Sequence, residues 1–529
     1  MILPIVKQET LFDGVCKAPE AITYSHGDSE SEVLGGNAFA SFVSEAVYSA
    51  DEPFIELSLD LSLEERDEIY RVLVSENKIK IGFRDARGAI NGSATVALLL
   101  RKKAIPLCEI IDYPSCSYRS VLIDIARGMP NAEDIKSAIK YMALAKYNRL
   151  HLHLIDAKGP CYVSSALPEY KYIGKGEPCN KSFLRELDEL CRSYAIEIVP
   201  EIEIPAHATA LCEAHPEFKC QVDNAHSWTI CPGNDDIWDF FSTLVNEVSD
   251  IFPSSEYLHI GTDELEFSDL ETPRLCHWDD CPRCASLRQR EGLADRQAEF
   301  YYVVDKMHDI VKSNGKKMMM WNDQIDTSRD VPISRDILLQ FWRIAYPGRG
   351  PYEDCTFEKL LENGFKVINS FYRNTYFDIE KYLSSEKMQS FTPFSYPEHS
   401  PEYDGQIIGS EACAWEFGNY ESYPFYGVVT PSVVAIFGDK LWGLGEREHG
   451  DEYRSALAEF IFGREDLSEI FEYVGGLIPP RSIDEVTYPG ARKLSASDAE
   501  RCIERLRLCP DSYTSKQYTD LIKKIAAKA

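Results

Sequence analysis

The sequence predicts an α/β protein: a (β/α)8 TIM barrel with an N-terminal α+β accessory domain and a C-terminal helical extension. Three observations carry that expectation. Between residues 119 and 416, short apolar runs of strand length alternate with amphipathic helical stretches, the signature of parallel βα units. The span of about 300 residues suits a barrel, whose usual size is about 250 residues or more with insertions. Finally, each of the strand ends delivers an aromatic or ionisable side chain, and a barrel brings its C-terminal strand ends to one mouth. A doubly wound sheet is the rival architecture, but it asks for a glycine-rich turn after its first strand, and Arg127-Gly-Met-Pro is no such turn.

Taken in order, residues 1–112 read as the mixed α+β unit. Thr23, Ile55-Glu-Leu-Ser-Leu and Lys78-Ile-Lys-Ile-Gly-Phe offer short alternating strands, while 64–74 and 93–101 show helical periodicity. Pro114 and two serines interrupt the pattern and mark a boundary. The barrel unit, 113–450, offers strands at 120–126, 149–155, 196–204, 256–261, 316–321, 336–342, 366–371 and 406–415. Helices intervene at 131–146, 181–194, 235–251, 295–313 and 357–363. The last unit, 451–529, is helical and polar, with candidates at 453–462, 467–473 and 497–508 broken by Pro479-Pro480 and Tyr488-Pro489-Gly490, and is expected to pack on the barrel.

With 44% apolar and 27% charged residues the 529-residue chain has the composition of a soluble globular protein. Its net charge of -30 argues against nucleic acid or an anionic membrane as a partner, since either needs a basic face. The N-terminal apolar run breaks at Lys7 and lacks a basic leader, and no stretch of about 20 residues is free of charge, so a cytoplasmic protein is expected.

The strand ends supply Arg127, Asp156, His207, the adjacent pair Asp263 and Glu264, Trp321, Trp342, Tyr376 and Trp415. Aromatic platforms with carboxylates suit a sugar, whose C–H face stacks on rings while its hydroxyls take charged hydrogen bonds. A glycan is therefore the expected partner. Adjacent carboxylates cannot easily flank one glycosidic bond from opposite faces, as the usual pair must. A 2-acetamido sugar removes the difficulty, because its own acetamido oxygen can attack the anomeric carbon. Glu264 then serves as general acid and base, Asp263 orients the acetamido N–H, Tyr376 holds the acetamido oxygen, and the three tryptophans wall the pocket. No cofactor is required for such chemistry.

Two other readings stay open on the residues alone. His151-Leu-His153 places two histidines on one strand face, as metal-dependent amidohydrolase barrels do, and a non-catalytic carbohydrate-binding barrel would keep the tryptophans without an acid. Separately, Cys276-His-Trp-Asp-Asp-Cys281-Pro-Arg-Cys284 has three thiols within nine residues. Cys276, Cys281 and Cys284 are candidate ligands of a structural zinc, with His277 or a cysteine from another loop such as Cys231 as the fourth; free thiols in a surface loop are the alternative.

The chain resembles glycoside hydrolase family 20, the β-N-acetylhexosaminidases. The resemblance rests on Asp124-Ile-Ala-Arg127, the run from Lys146 to Asp156, Val199-Pro-Glu-Ile-Glu-Ile-Pro-Ala-His207, His259-Ile-Gly-Thr-Asp-Glu264, Trp321-Asn-Asp, Gln340-Phe-Trp342, Tyr376-Phe-Asp378 and Ala412-Cys-Ala-Trp415. It implies that Arg127 binds the 3- and 4-hydroxyls, that Asp156 and His207 support Glu264, and that Asp378 neighbours Tyr376 in the acetamido site. Three departures stand out. Ala206 replaces a usual glycine, Ala157-Lys-Gly-Pro-Cys follows Asp156 where the family often has Asp-Gln-Gly, and Phe417 occupies the place of a sugar-gripping glutamate, with Glu416 shifted by one. The last departure bears on the choice between N-acetylglucosamine and N-acetylgalactosamine.

Overall fold

The computed structural model describes residues 1–102, 104–174, 176–265, 276–343, 356–377, 385–417, 426–445, 448–479 and 492–528; Asp378 lies outside them. Parallel strands Tyr118–Asp124, Arg149–His153, Glu197–Glu201, Tyr257–His259, Lys317–Trp321, Leu338–Phe341, Val367–Asn369 and Ile407–Ala414 form a closed barrel. The last pairs with the first, from Gly409 opposite Tyr118 to Ala414 opposite Ile123. All eight strands expected from the apolar runs are present, each trimmed by one to three residues at an end, and the first begins two residues earlier than expected. Parallel strands are covered on both faces, so they read as continuous apolar stretches and are easy to find.

Helices Ala132–Leu144, Lys181–Ser193, Asp236–Ile251, Arg296–Ser313 and Phe357–Glu362 cover the outside, close to their expected ranges. All but Asp236–Ile251 start at a side-chain cap: Asn180, for example, accepts the N–H of Phe183 at 2.8 Å, and Asp295 that of Ala298 at 2.9 Å. Leu184, Leu187 and Cys191 then fall on one buried face of the second helix.

Inside the barrel, the two-residue period of a strand decides what stacks above what. Tyr118, Val199, Met319, Leu338 and Ile368 form an apolar floor. One step of two residues up the chain from Val199, Met319 and Leu338 come Glu201, Trp321 and Gln340, all buried. One further step brings Glu203, Asp323 and Trp342. The barrel thus changes from apolar to polar to a ligand-facing mouth along its axis.

Residues 1–112 form a mixed sheet in the order Gln8–Cys16, Ile105–Asp112, Tyr70–Ser75, Lys78–Phe83, Ile55–Leu59, Thr23–His26, Val47–Tyr48. Helices Glu30–Phe42 and Ala86–Leu99 pack on it. The helix expected over 64–74 is not there: Tyr70–Ser75 is a strand pairing antiparallel with two neighbours. The helical periodicity over 64–74 gives way to the strand's own alternation: Tyr70, Val72 and Val74 point inward with period two and join the core. Asp112 ties this sheet to the barrel, accepting from Tyr70 Oη at 2.6 Å and Trp442 Nε1 at 2.8 Å and pairing with Lys146 at 3.0 Å.

Of the C-terminal helices Asp451–Phe462, Ile470–Tyr473, Ala496–Leu506 and Ser512–Lys528, the first and last pack on the barrel's final helix, Tyr426–Gly443, and Ala496–Leu506 packs on Ser512–Lys528. Gln517 Nε2 donates to Asp134 at 2.7 Å and Tyr141 Oη to Thr514 at 3.0 Å, fixing the last helix on Ala132–Leu144. Among the described residues no helix is long and apolar enough to cross a membrane.

Candidate active site

A cavity of about 300 Å3 opens at the C-terminal strand ends and is lined by Arg127, Asp263, Glu264, Trp321, Trp342, Tyr376, Trp415 and Glu416. Six strand ends contribute. Asp156 and His207, the other two described members of the expected set, sit behind this lining rather than in it.

The adjacent carboxylates point the same way, which a regular strand forbids. Thr262 and Glu264 have φ of +85° and +54°, so the chain leaves the extended conformation as it leaves the strand and the alternation of faces is broken. As a result Oδ2 of Asp263 and Oε2 of Glu264 each lie 3.5 Å from the same atom, Nε2 of His207. Gly261 permits the approach of the next carboxyl group: a Cβ there would stand 1.8 Å from Oε2 of Glu203. Among the described residues, Oδ1 of Asp263 is buried with no hydrogen-bond partner, a vacancy that a polar ligand atom would satisfy.

His207 is the electrostatic centre of the group. Its Nδ1 lies 3.0 Å from Oδ2 of Asp156, and its own φ is +52°. Burial alone would push its pKa down, but Asp263 and Asp156 more than offset this and raise it well above the usual histidine value. Asp156 in turn is buried, yet Arg127 and His207 hold its carboxyl well below the usual range. Charge therefore alternates along Arg127, Asp156 and His207, which lets these ions coexist in the interior.

Arg127 reaches Asp156 at 2.8 Å and Asp124 at 2.9 Å, with its guanidinium 5.2 Å above the Trp415 ring. Asp124 also accepts the N–H of Glu416 at 2.9 Å, joining the first strand end to the eighth. That bond holds Glu416 at φ +54°, and the turn delivers Glu416 to the cavity while Phe417 is buried. The one-residue displacement seen in the sequence still brings a carboxylate-bearing residue to the mouth.

The aromatic walls are themselves held. Trp321 Nε1 donates to Oε1 of buried Glu201 at 2.7 Å. Trp342 Nε1 donates to Oδ1 of Asp323 at 3.0 Å, and the Tyr376 ring stacks on Trp342 at 6.2 Å and 9°. The Tyr376 and Trp321 rings both meet Trp415, at 5.8 and 5.9 Å.

Sequence reasoning missed two supports. Asp323 takes the backbone N–H of Glu264 at 3.1 Å on Oδ2, and Trp228 donates its indole N–H to the Glu264 carbonyl at 2.9 Å while packing 4.3 Å from the His207 ring. Asp323 stood inside a quoted motif. Trp228 lies in a loop without periodicity, where only a lone aromatic among polar residues hinted at it.

The histidines of the amidohydrolase reading do not line the cavity. His151 and His153 lie within the barrel, where Nδ1 of His151 meets Glu411 at 2.9 Å and Nδ1 of His153 makes a short contact with Glu201. The cysteine expectation is corrected in membership. Cys281 and Cys284 group with Cys220 and Cys231, their sulfur atoms all within 4.8 Å of one another, and Cys276 is not one of the four. Cys276 precedes the knuckle at the start of helix Pro282–Glu291, whereas Cys220 and Cys231 reach it from the loop after the third barrel strand.

Comparison with known proteins gives the same answer as the geometry. The profile of the catalytic domain of glycosyl hydrolase family 20 matches residues 116–438. A β-hexosaminidase of Akkermansia muciniphila is 31% identical over 279 residues, covering 48% of this chain and 55% of that protein. Mouse β-hexosaminidase subunit alpha is 28% identical over 392 residues, covering 71% and 70%. The chain thus spans about half to two thirds or slightly more of these relatives. Among solved structures, a Flavobacterium johnsoniae chitobiase superposes with a TM-score of 0.72 over 99% of this chain and 92% of that one at 19% identity, and a Bacteroides fragilis β-N-acetylhexosaminidase with 0.70 over 87% and 94% at 22%. These two establish the shared fold. The family profile spans well over half of the sequence and includes nearly every residue around the cavity, so the chain belongs to glycosyl hydrolase family 20 and carries that family's catalytic domain.

Proposed function

We propose that the protein is a retaining exo-β-N-acetylhexosaminidase that removes terminal β-linked N-acetylglucosamine, N-acetylgalactosamine or both from glycans by substrate-assisted catalysis. The observation that carries this reading is the convergence of Asp263 and Glu264 on one histidine nitrogen. Two carboxylates on the same side cannot act as an opposed acid and nucleophile. A substrate that brings its own nucleophile asks the protein only for an acid at the leaving oxygen and a group that orients the acetamido N–H, which two neighbouring carboxyl groups can supply.

In this scheme Glu264 gives its proton to the glycosidic oxygen as the bond to the anomeric carbon breaks, and the acetamido oxygen closes on that carbon to form an oxazolinium ion. Asp263 takes the acetamido N–H on its unpartnered oxygen and offsets the positive charge that develops there. Glu264, now a carboxylate, removes a proton from water, which opens the ring and restores the original configuration. Tyr376 holds the acetamido oxygen, Trp321, Trp342 and Trp415 enclose the methyl group and sugar face, and Arg127 and Glu416 take ring hydroxyls. The cavity volume is at the low end of ordinary ligand pockets, about 300–1,000 Å3, which favours a single terminal sugar over an internal chain segment.

Glu264→Gln tests the reading. It is expected to lower kcat by about 10²- to 10⁴-fold on an aryl 2-acetamido-β-glycoside, the range for a lost general acid. Near-normal turnover in that variant would remove Glu264 as the general acid, and no wild-type turnover of either the gluco or galacto substrate would return the chain to a non-catalytic sugar-binding role.

A further inference from the structure

We propose that Cys220, Cys231, Cys281 and Cys284 hold one structural zinc ion, which fastens the loop after the third barrel strand to the segment after the fourth. All four side chains are buried and their sulfur atoms form one cluster. Sγ of Cys231 is 3.6 Å from both Sγ of Cys281 and Sγ of Cys284. A disulfide would need about 2.05 Å and would select one partner. Four thiolates at about 2.3 Å from a tetrahedral zinc stand about 3.8 Å apart, close to what both contacts show.

The surroundings are built for such a site. Cys281-Pro-Arg-Cys284 opens helix Pro282–Glu291, with Cys281 at its N-cap and Pro282 in the first turn, so both sulfurs of the knuckle turn to the same side. The N–H of Gln221 donates to Sγ of Cys281 at 3.3 Å, a bond that favours a thiolate. The two segments touch closely, since a Cβ on Gly233 would lie 2.4 Å from the backbone of Arg283, and within the first of them the Cys231 N–H donates to the Phe218 carbonyl at 2.7 Å. Among the described residues the cluster is made of four cysteines alone, and an all-sulfur set favours zinc over magnesium or calcium.

The staple also has a place in the function. The loop it fastens carries His207 and Trp228, both of which touch the Asp263–Glu264 turn, and Trp278 Nε1 bonds the Ile230 carbonyl at 2.8 Å beside Cys231. Zinc is assigned here to positioning, with no step of the reaction passing through it. On binding, each thiol gives up its proton to solvent, so affinity falls at low pH.

The test uses the full chain purified under reducing conditions. Elemental analysis should find one zinc per chain, and X-ray absorption should find four sulfur neighbours at about 2.3 Å. Cys220→Ser and Cys284→Ser should lose most of the metal, whereas Cys276→Ser should keep it. Removing the metal should lower Tm, and zinc but not magnesium should restore it. Reduced, zinc-reconstituted wild type that retains no metal after desalting would overturn the proposal, as would iron in the site, a nitrogen or oxygen neighbour in the absorption spectrum, or an intact mass showing these cysteines oxidised to disulfides. Loss of zinc from Cys276→Ser with retention in Cys220→Ser would overturn the ligand set. The wild-type measurements stand even if a serine variant fails to fold, and none of them depends on the glycosidase reading.

Discussion

Asp323 accepts the backbone N–H of Glu264 at 3.1 Å on one oxygen and the indole N–H of Trp342 at 3.0 Å on the other. One buried carboxylate thereby fixes the proposed acid relative to a wall of the sugar pocket. Gln324 Nε2 at 3.0 Å and Arg343 Nη2 at 3.2 Å also donate to it, so its removal takes a partner from four donors, at roughly 1–3 kcal/mol for each one left unpaired. Asp323→Ala is expected to lower kcat/KM by about 5- to 150-fold, the equivalent of the 1–3 kcal/mol for the one bond that holds Glu264. Because Asp323 acts through Glu264, the same substitution should cost much less in a Glu264→Gln background. Full additivity in that double mutant would show that Asp323 acts independently of the acid.

Trp228 is the second support of the same turn. Trp228→Phe keeps a ring against His207 but deletes the bond to the Glu264 carbonyl. A hydrogen bond of about 0.5–1.5 kcal/mol predicts a loss of about two- to tenfold in kcat/KM with the fold intact by circular dichroism. Unchanged kinetics would remove Trp228 from the positioning of the acid.

Glu416 is the other carboxylate among the described cavity-lining residues and is assigned to sugar hydroxyls. Glu416→Gln should weaken kcat/KM by about 10- to 150-fold, as expected for a charged hydrogen bond of about 1.5–3 kcal/mol, and mainly through KM. A collapse of kcat as deep as that of Glu264→Gln, rescued by added azide, would instead make Glu416 a protein nucleophile. Comparing gluco and galacto substrates on the same variant tests whether it reads the 4-hydroxyl.

The polar layer beneath the cavity sets an alkaline limit on stability. Burial would lower the pKa of His151, but Glu411 and Glu201 more than offset it and raise it to about 9. Such a histidine contributes stability fully below its unfolded value of about 6.5 and loses it as pH rises. Through this group Tm should decline as pH passes from there through about 9. Glu411→Gln removes the larger of the two favourable charges and should move the decline to lower pH. A Tm profile unchanged by that substitution would contradict the assignment.

Much of this molecule was legible in its residues, for physical reasons that differ from place to place. The barrel strands announced themselves because burial on both faces makes each one a continuous apolar run, and the mouth followed because parallel strands all end on one side. Tyr70–Ser75 is a strand within a window of helical periodicity, and only the inward alternation of Tyr70, Val72 and Val74 distinguishes it. The carboxylate pair was visible, but the left-handed turns at Thr262 and Glu264 that aim both groups at His207 are not encoded by residues that usually take them. Cys220 and Trp228 were invisible as partners, since the contacts that give them meaning join loops about 30 to 60 positions apart in the chain.

The central claim is that the substrate's acetamido oxygen is the nucleophile. Its most direct measurement is kcat/KM across aryl 2-acylamino-β-glycosides whose acyl methyl carries none, one, two or three fluorine atoms. Each fluorine withdraws electrons from the amide oxygen while scarcely changing its size. The account predicts a steep, stepwise fall along the series, ending in almost no turnover of the trifluoro substrate. A flat series would contradict it and require the nucleophile to come from the protein.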